Sequence, residues 1–265
     1  MLSIDLSSTT VAITGGSSGI GLATAGLFLQ AGAAVAICGR DPNRLHAAEQ
    51  TLRATHPQAR LLAFPADVLD AAQMQRFADA TAQSFGSADI LVNNAGQGRV
   101  STFADTTDAA WTDELQLKFF SLLRPIRAFL PLLERGPRGA IVCVNSLLAL
   151  QPEPHMVATS AARAGAQNLV RSLATEFAPK GVRVNAILIG LVESGQWRRR
   201  FDAREDKSVD WPAWTSALAG RKGIQLGRLG KPEEAAQAIF FLATPLSSYT
   251  TGSHIDVSGG LARHI

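Results

Sequence analysis

The sequence predicts an α/β fold in which a parallel, doubly wound sheet carries helices on both faces. Three observations predict it. Short β-branched or apolar runs alternate with longer amphipathic stretches, and uninterrupted apolar strands suit a sheet covered on both sides. A glycine-rich turn, TGGSSGIG, directly follows the first such run. The 265 residues, 46% of them hydrophobic, can bury one large core, and no repeat, low-complexity tract or linker divides them. A single domain over residues 1–265 is expected.

VAIT (11–14) is the first strand, and the turn from Thr14 to Gly21 comes next. Gly15, Gly19 and Gly21 permit a tight turn, close backbone approach and close packing of the following helix. With Ser17, Ser18 and Ile20 between them, they put free amides at that helix N-terminus, where a pyrophosphate would sit. Lying between a strand and a helix, the motif reads as the opening of a Rossmann-type dinucleotide fold. AAVAICG (33–39) is the second strand and ends in CGRDPNR. An acidic residue there would hold the ribose hydroxyls of NAD and repel a 2′-phosphate. Arg40 stands there instead, and a guanidinium pairs with phosphate. Asp41 reads as a helix N-cap with Pro42 at the first helical position; Asn43 and Arg44 can assist Arg40. The expected cofactor is NADP(H).

RLLAFPAD (60–67), DILVN (89–93), GAIVCVN (139–145) and GVRVNAILI (181–189) complete the strands, with helical stretches such as DAAQMQRFADATAQSFG between them. Residues 194–224 break the pattern, holding three of the four tryptophans among charges. They read as a helical lid over an active site, or equally as a packed surface excursion. Arg198, Arg199 and Arg200 read as a solvated helix face or as partners of an anionic substrate.

The net charge of +3 is spread along the chain, which does not point to nucleic acid. No apolar run approaches a membrane span of roughly 18 residues, and MLSIDLSSTT has no leader pattern. Cys38 and Cys143 are the two cysteines and read as free buried thiols in a reducing compartment. No zinc-type ligand spacing occurs. A soluble, cytoplasmic protein without bound metal is expected.

Taken together, TGGSSGIG, ADV (66–68), NNAG (93–96), RVN (183–185), GRLGKPEEAA (227–236) and TGSHIDVSGG (251–260) resemble the short-chain dehydrogenase/reductase family, in family order and over nearly the whole chain. The resemblance implies that Asp67 and Val68 flank the adenine and that Asn94, Ala95 and Gly96 line the ribose path. It implies a turn beside the nicotinamide at Ile189-Gly190, with Val192 and Ser194 holding the carboxamide. It also implies a homo-oligomer, commonly a tetramer, and a strand order that keeps Cys38 and Cys143 about 14 Å apart, too far for a disulfide.

Members of the family use Asn, Ser, Tyr and Lys. Ser146 matches the serine. Thr159 stands in place of the tyrosine, Arg163 in place of the lysine, and Lys118 in place of the asparagine. The only tyrosine, Tyr249, reads as structural. A threonine hydroxyl is too weak an acid to replace tyrosine alone, and arginine holds its proton. A positioned acid is worth on the order of 10² to 10⁴ in rate. Two groups can replace it: Lys118, whose alternative is a snorkelling surface role, and His155, near Thr159 in a proline-flanked segment. The expected function is NADPH-dependent reduction of a carbonyl, or oxidation of an alcohol, with Lys118, Arg163 and Arg198–Arg200 pointing to an anionic substrate. The alternatives are a catalytically silent NADPH-binding sensor or assembly protein, and a different reaction in the same pocket.

Overall fold

The protein is described by a computed structural model covering residues 4–136 and 138–263. Seven parallel strands form one sheet: β1 Thr10–Thr14, β2 Ala34–Gly39, β3 Leu61–Pro65, β4 Ile90–Asn93, β5 Ala140–Ser146, β6 Arg183–Ile189 and β7 His254–Val257. Their order is β3-β2-β1-β4-β5-β6-β7. The chain winds outward from β1 in both directions, so the crossovers part between β1 and β4. That is the crevice where such sheets bind ligands.

Nine helices follow among the described residues: α1 Gly19–Gln30, α2 Pro42–Thr55, α3 Ala71–Phe85, α4 Asp108–Leu115, α5 Ser121–Leu133, α6 Val157–Phe177, α7 Gly195–Asp202, α8 Trp211–Lys222 and α9 Pro232–Ala243. A π-helical turn, Gln116–Phe120, joins α4 to α5. Every residue of β1 and β2 is buried, as continuous apolar strands in a covered sheet must be. One core layer packs Phe77, Phe129 and Phe177 against the face turned to α3, α5 and α6. The other packs Phe28, Leu52 and Ile239 beneath α1, α2 and α9.

The seventh strand, HIDV, lies on the edge beyond β6 and has no counterpart among the strands read from the sequence. Residues 195–222 form two helices around an aromatic cluster. Trp211 stacks on Trp214 at 5.6 Å, and Phe201 packs edge-on to both. Cys38 and Cys143 are free and buried, on strands with β1 and β4 between them. Among the described residues, no helix is long and apolar enough to cross a membrane.

Candidate active site

The carboxyl ends of β1, β2, β4, β5 and β6 open into one cleft of about 880 Å³, a size suited to a cofactor and a small substrate together. One end is lined by Gly15, Ser17, Ser18, Gly19 and Ile20. Ser18 occupies the N-cap position of α1 but makes no side-chain bond to the first turn, so that turn's amides face the cleft uncapped. The neighbouring helix differs: Asp41 accepts from the Asn43 and Arg44 amides at 3.0 and 3.1 Å. A capping carboxylate occupies and repels what a phosphate needs, so of these two helices it is α1 that offers an anion site.

The loop's geometry fits a dinucleotide. A Cβ at Gly21 would lie 2.3 Å from the Gly15 carbonyl oxygen, so only glycine lets α1 start this close to the turn. Gly21 itself is buried behind the lining. Asn94 fixes the loop from β4: its Nδ2 donates to the Thr14 and Gly15 carbonyls at 3.1 and 3.0 Å. Thr14 Oγ1 accepts from the Asn94 and Ala95 amides. Asn94, Ala95 and Gly96 all line the cleft.

Arg40 and Arg44 reach the same end. Arg40 Nη1 stands 4.0 Å from Asp67, an exposed pair that a phosphate would readily displace. Ala66 and Val68 form the wall beside it. Asp67 accepts from the Leu69 amide, and neither it nor the exposed Asn43 belongs to the lining. At the far end stand Gly190, Val192 and Ser194. Gly190 is held to β7 through the Val257 carbonyl, and Val192 bridges to Gly230.

Ser146, at the end of β5, lines the middle of the cleft. Its Oγ accepts from the Leu148 amide at 3.3 Å, which leaves its proton to donate. Thr159 also lines the cleft but is 1% exposed. Its hydroxyl donates to Glu114 Oε2 at 2.7 Å and lies near the Arg99 backbone. Arg163, one turn on, donates to the Val144 carbonyl at 3.0 Å, while its Nε is buried without a protein partner. Burial pulls the Arg163 guanidinium down to about 10.

Lys118 is buried, as an inward register requires, yet it does not line the cleft. It stands behind Gly96 and Arg163 beside a cavity of about 10 Å³. Its Nζ donates to the Gln97 carbonyl and pairs with Glu114 Oε2 at 3.1 Å. Burial, then the nearby Arg163 charge, holds the ammonium down to about 8 against the opposing pull of Glu114. His155 precedes α6 and lines the mouth half-exposed, with Nδ1 3.5 Å from Glu153. Lys222, from the end of α8, lies 3.9 Å from the same carboxylate.

Glu114 is the residue that sequence reasoning missed. Its one mark in the sequence is the spacing of four residues from Lys118, which puts the two on one helix face and is equally ordinary on a solvated one.

Of the arginine triplet, Arg200 alone reaches the cleft, stacked over Trp197 at 4.8 Å. Arg198 lies over Trp211 instead, at 4.5 Å. The mouth is mixed in charge, since Glu153 and Glu193 also line it. Among the described residues, no group of three or more His, Cys, Asp or Glu could hold a metal ion.

Residues 15–262 match a protein-family model described as enoyl-(acyl carrier protein) reductase. An uncharacterized short-chain type dehydrogenase/reductase of Sinorhizobium fredii is 33% identical over 96% of this chain and 98% of its own. A 3-oxoacyl-[acyl-carrier-protein] reductase of Chlamydia trachomatis is 32% identical, covering 96% of this chain and 97% of its own. Among solved structures, a short chain oxidoreductase from Pseudomonas aeruginosa, containing an atypical catalytic center, is 69% identical in its NADPH-bound form. It superposes with a TM-score of 0.95 over 99% of this chain and 100% of its own. L-Sorbose reductase from Gluconobacter frateurii, complexed with NADPH and L-sorbose, is 30% identical with a TM-score of 0.93 over the whole of both chains.

Proposed function

The chain belongs to the short-chain dehydrogenase/reductase family, and from that premise we propose that it is an NADPH-dependent oxidoreductase acting on a carbonyl/alcohol pair. One observation carries the reading: a single cleft runs unbroken from Arg40 and the glycine turn to Ser146. The NADPH-bound relative, 69% identical, supports the cofactor.

Each part has a physical task. The uncapped amides of α1 take the pyrophosphate. Arg40, with Arg44 beside it, takes the ribose 2′-phosphate. Val68 flanks the adenine, Asn94 to Gly96 line the path inward, and Gly190, Val192 and Ser194 meet the carboxamide. Arg163, which lines the cleft, meets the ribose hydroxyls and supplies positive field. NADPH, when bound, supplies the hydride. Ser146 donates to the substrate oxygen and orients the carbonyl. The helices of residues 194–224 cover the mouth and exclude water. The whole chain, 1–265, acts as one domain of a cytoplasmic homotetramer.

A second reading, an NADPH-binding sensor that moves no hydride, is favoured by one fact: the Thr159 hydroxyl is committed to Glu114. Incubation with 4-deuterated NADPH and a panel of neutral and anionic carbonyls separates the two. Deuterium in an alcohol product, read by mass spectrometry, is the expected result. Tight NADPH binding with no label across the panel would leave the sensor. Arg40→Ala is expected to weaken NADPH about ten- to a hundredfold, the worth of a lost charged hydrogen-bond pair, while leaving NADH binding unchanged. Equal losses for both would remove Arg40 from the phosphate.

A further inference from the structure

Two side chains, Lys118 from the π-helical turn and Thr159 from α6, converge on one buried carboxylate oxygen of Glu114 on α4, and Thr159 stands at the position where the family carries its acid. Glu114 is 3% exposed and Lys118 4%. Glu114 Oε2 accepts from Thr159 at 2.7 Å and lies 3.1 Å from Lys118 Nζ. Two features of the fold bring them together. The π-helical turn carries Lys118, and its Phe119 ring lies where a Cβ on Gly165 would be, at 2.5 Å. Glycine at 165 therefore lets α6 lie against this turn, which sets Thr159 on Glu114. A buried ion pair adds little stability over an apolar replacement, so stability alone does not account for one at this spot.

We propose that Glu114 is the positioning residue that stands in for the missing tyrosine–lysine unit, acting through Thr159. The inference rests on the reductase reading above. As hydride reaches the carbonyl carbon, the Thr159 O–H bond breaks and an O–H forms on the substrate oxygen. At rest the Thr159 hydroxyl donates to Glu114 Oε2; in the step Lys118 Nζ passes its proton to Oε2, which reverses that bond, so that Thr159 turns its own proton to the substrate and is refilled from Oε2. Glu114 and Thr159 end unchanged, Lys118 ends neutral, and the product has gained one hydride and one proton. Solvent returns the proton to Lys118 between turnovers. The groups that set the Lys118 titration are Glu114 from α4, Arg163 from α6 and Arg99 from the loop after β4. The ammonium is the donor, so reduction is fastest below its midpoint near 8 and is lost as pH rises through it. Removing the Glu114 charge removes the group that raises this midpoint, so the midpoint must fall.

The test uses wild type, E114Q, K118M, T159V and T159S. In protein labelled with ¹³C-lysine and free of cofactor, the Lys118 signal, assigned by its loss in K118M, should titrate near 8 and move to lower pH in E114Q. In deuteride transfer, E114Q and T159V should each be about a hundredfold slower or more. Their double variant should be no slower than either, T159S should keep activity, and the alkaline limb in E114Q should move with the NMR midpoint. NADPH affinity should hold throughout. If wild type transfers deuterium but E114Q leaves the limb in place, or the two losses multiply, the relay is wrong while the reductase reading stands. If wild type transfers none, both fall. Should E114Q not fold, T159V against T159S decides: equal rates overturn the relay.

Discussion

Gly21 carries its weight through an atom it lacks. A methyl there would press on the Gly15 carbonyl and lie 2.5 Å from Asn94 Nδ2, the group that ties β4 to the turn. Gly21→Ala is expected to weaken NADPH about five- to a hundredfold, following an overpacking cost of about 1–3 kcal/mol. Calorimetric titration checks it, and unchanged affinity would mean the loop relaxes freely. The places of Gly21, Arg40 and Ser146 around the cleft were legible in the sequence because each lies beside a strand end that the sequence marks. Glu114 was not, because an acid four residues before a lysine is ordinary on a solvated helix face. Its meaning comes from Thr159, 45 residues away. The inward register of Lys118 was legible, but its distance from the cleft was not: that depends on how α4 and α5 lie against α6.

The elements that narrow the cleft differ in how much of them the sequence revealed. The tryptophan-rich segment announced itself by composition, whereas its division into α7 and α8 depends on the cluster of Phe201, Trp211 and Trp214 that the two helices share. β7 stayed hidden because HIDV is short, half-polar and on an edge, so burial leaves no apolar run to read. The arginine triplet looked uniform in sequence, but the turn of α7 separates its members. Arg200→Ala should cut kcat/KM for anionic carbonyls about tenfold, the scale of one charged contact, and leave neutral ones of equal size untouched. Arg198→Ala, whose side chain lies on Trp211 away from the cleft, should not discriminate between them. Equal effects of the two variants would remove Arg200 from the substrate.

At the scale of the molecule, the seven strands form one continuous sheet. Its two thiols measure whether it stays closed. Burial pushes both Cys38 and Cys143 up to about 12, so neither offers a thiolate at pH 8. Native protein is expected to react with a disulfide reagent at neither position over hours, and denatured protein at both. A fast-reacting native thiol would show that a strand end opens locally. The separation of the second and fifth strands was readable from the family motifs, while the seventh strand and its pairing with β6 had to come from the fold. Trp197, Trp211 and Trp214 crowd into two neighbouring helices, and Trp197 borders the cleft; only Trp111 lies elsewhere, on α4. The protein's own emission is therefore expected to come mainly from α7 and α8, which border the cleft at Trp197. Excited indole rings hand their energy to a nearby reduced nicotinamide but not to an oxidised one, so NADPH is expected to quench this emission and NADP⁺ to leave it, an unlabelled optical check on the proposed lid and on the cofactor's redox state.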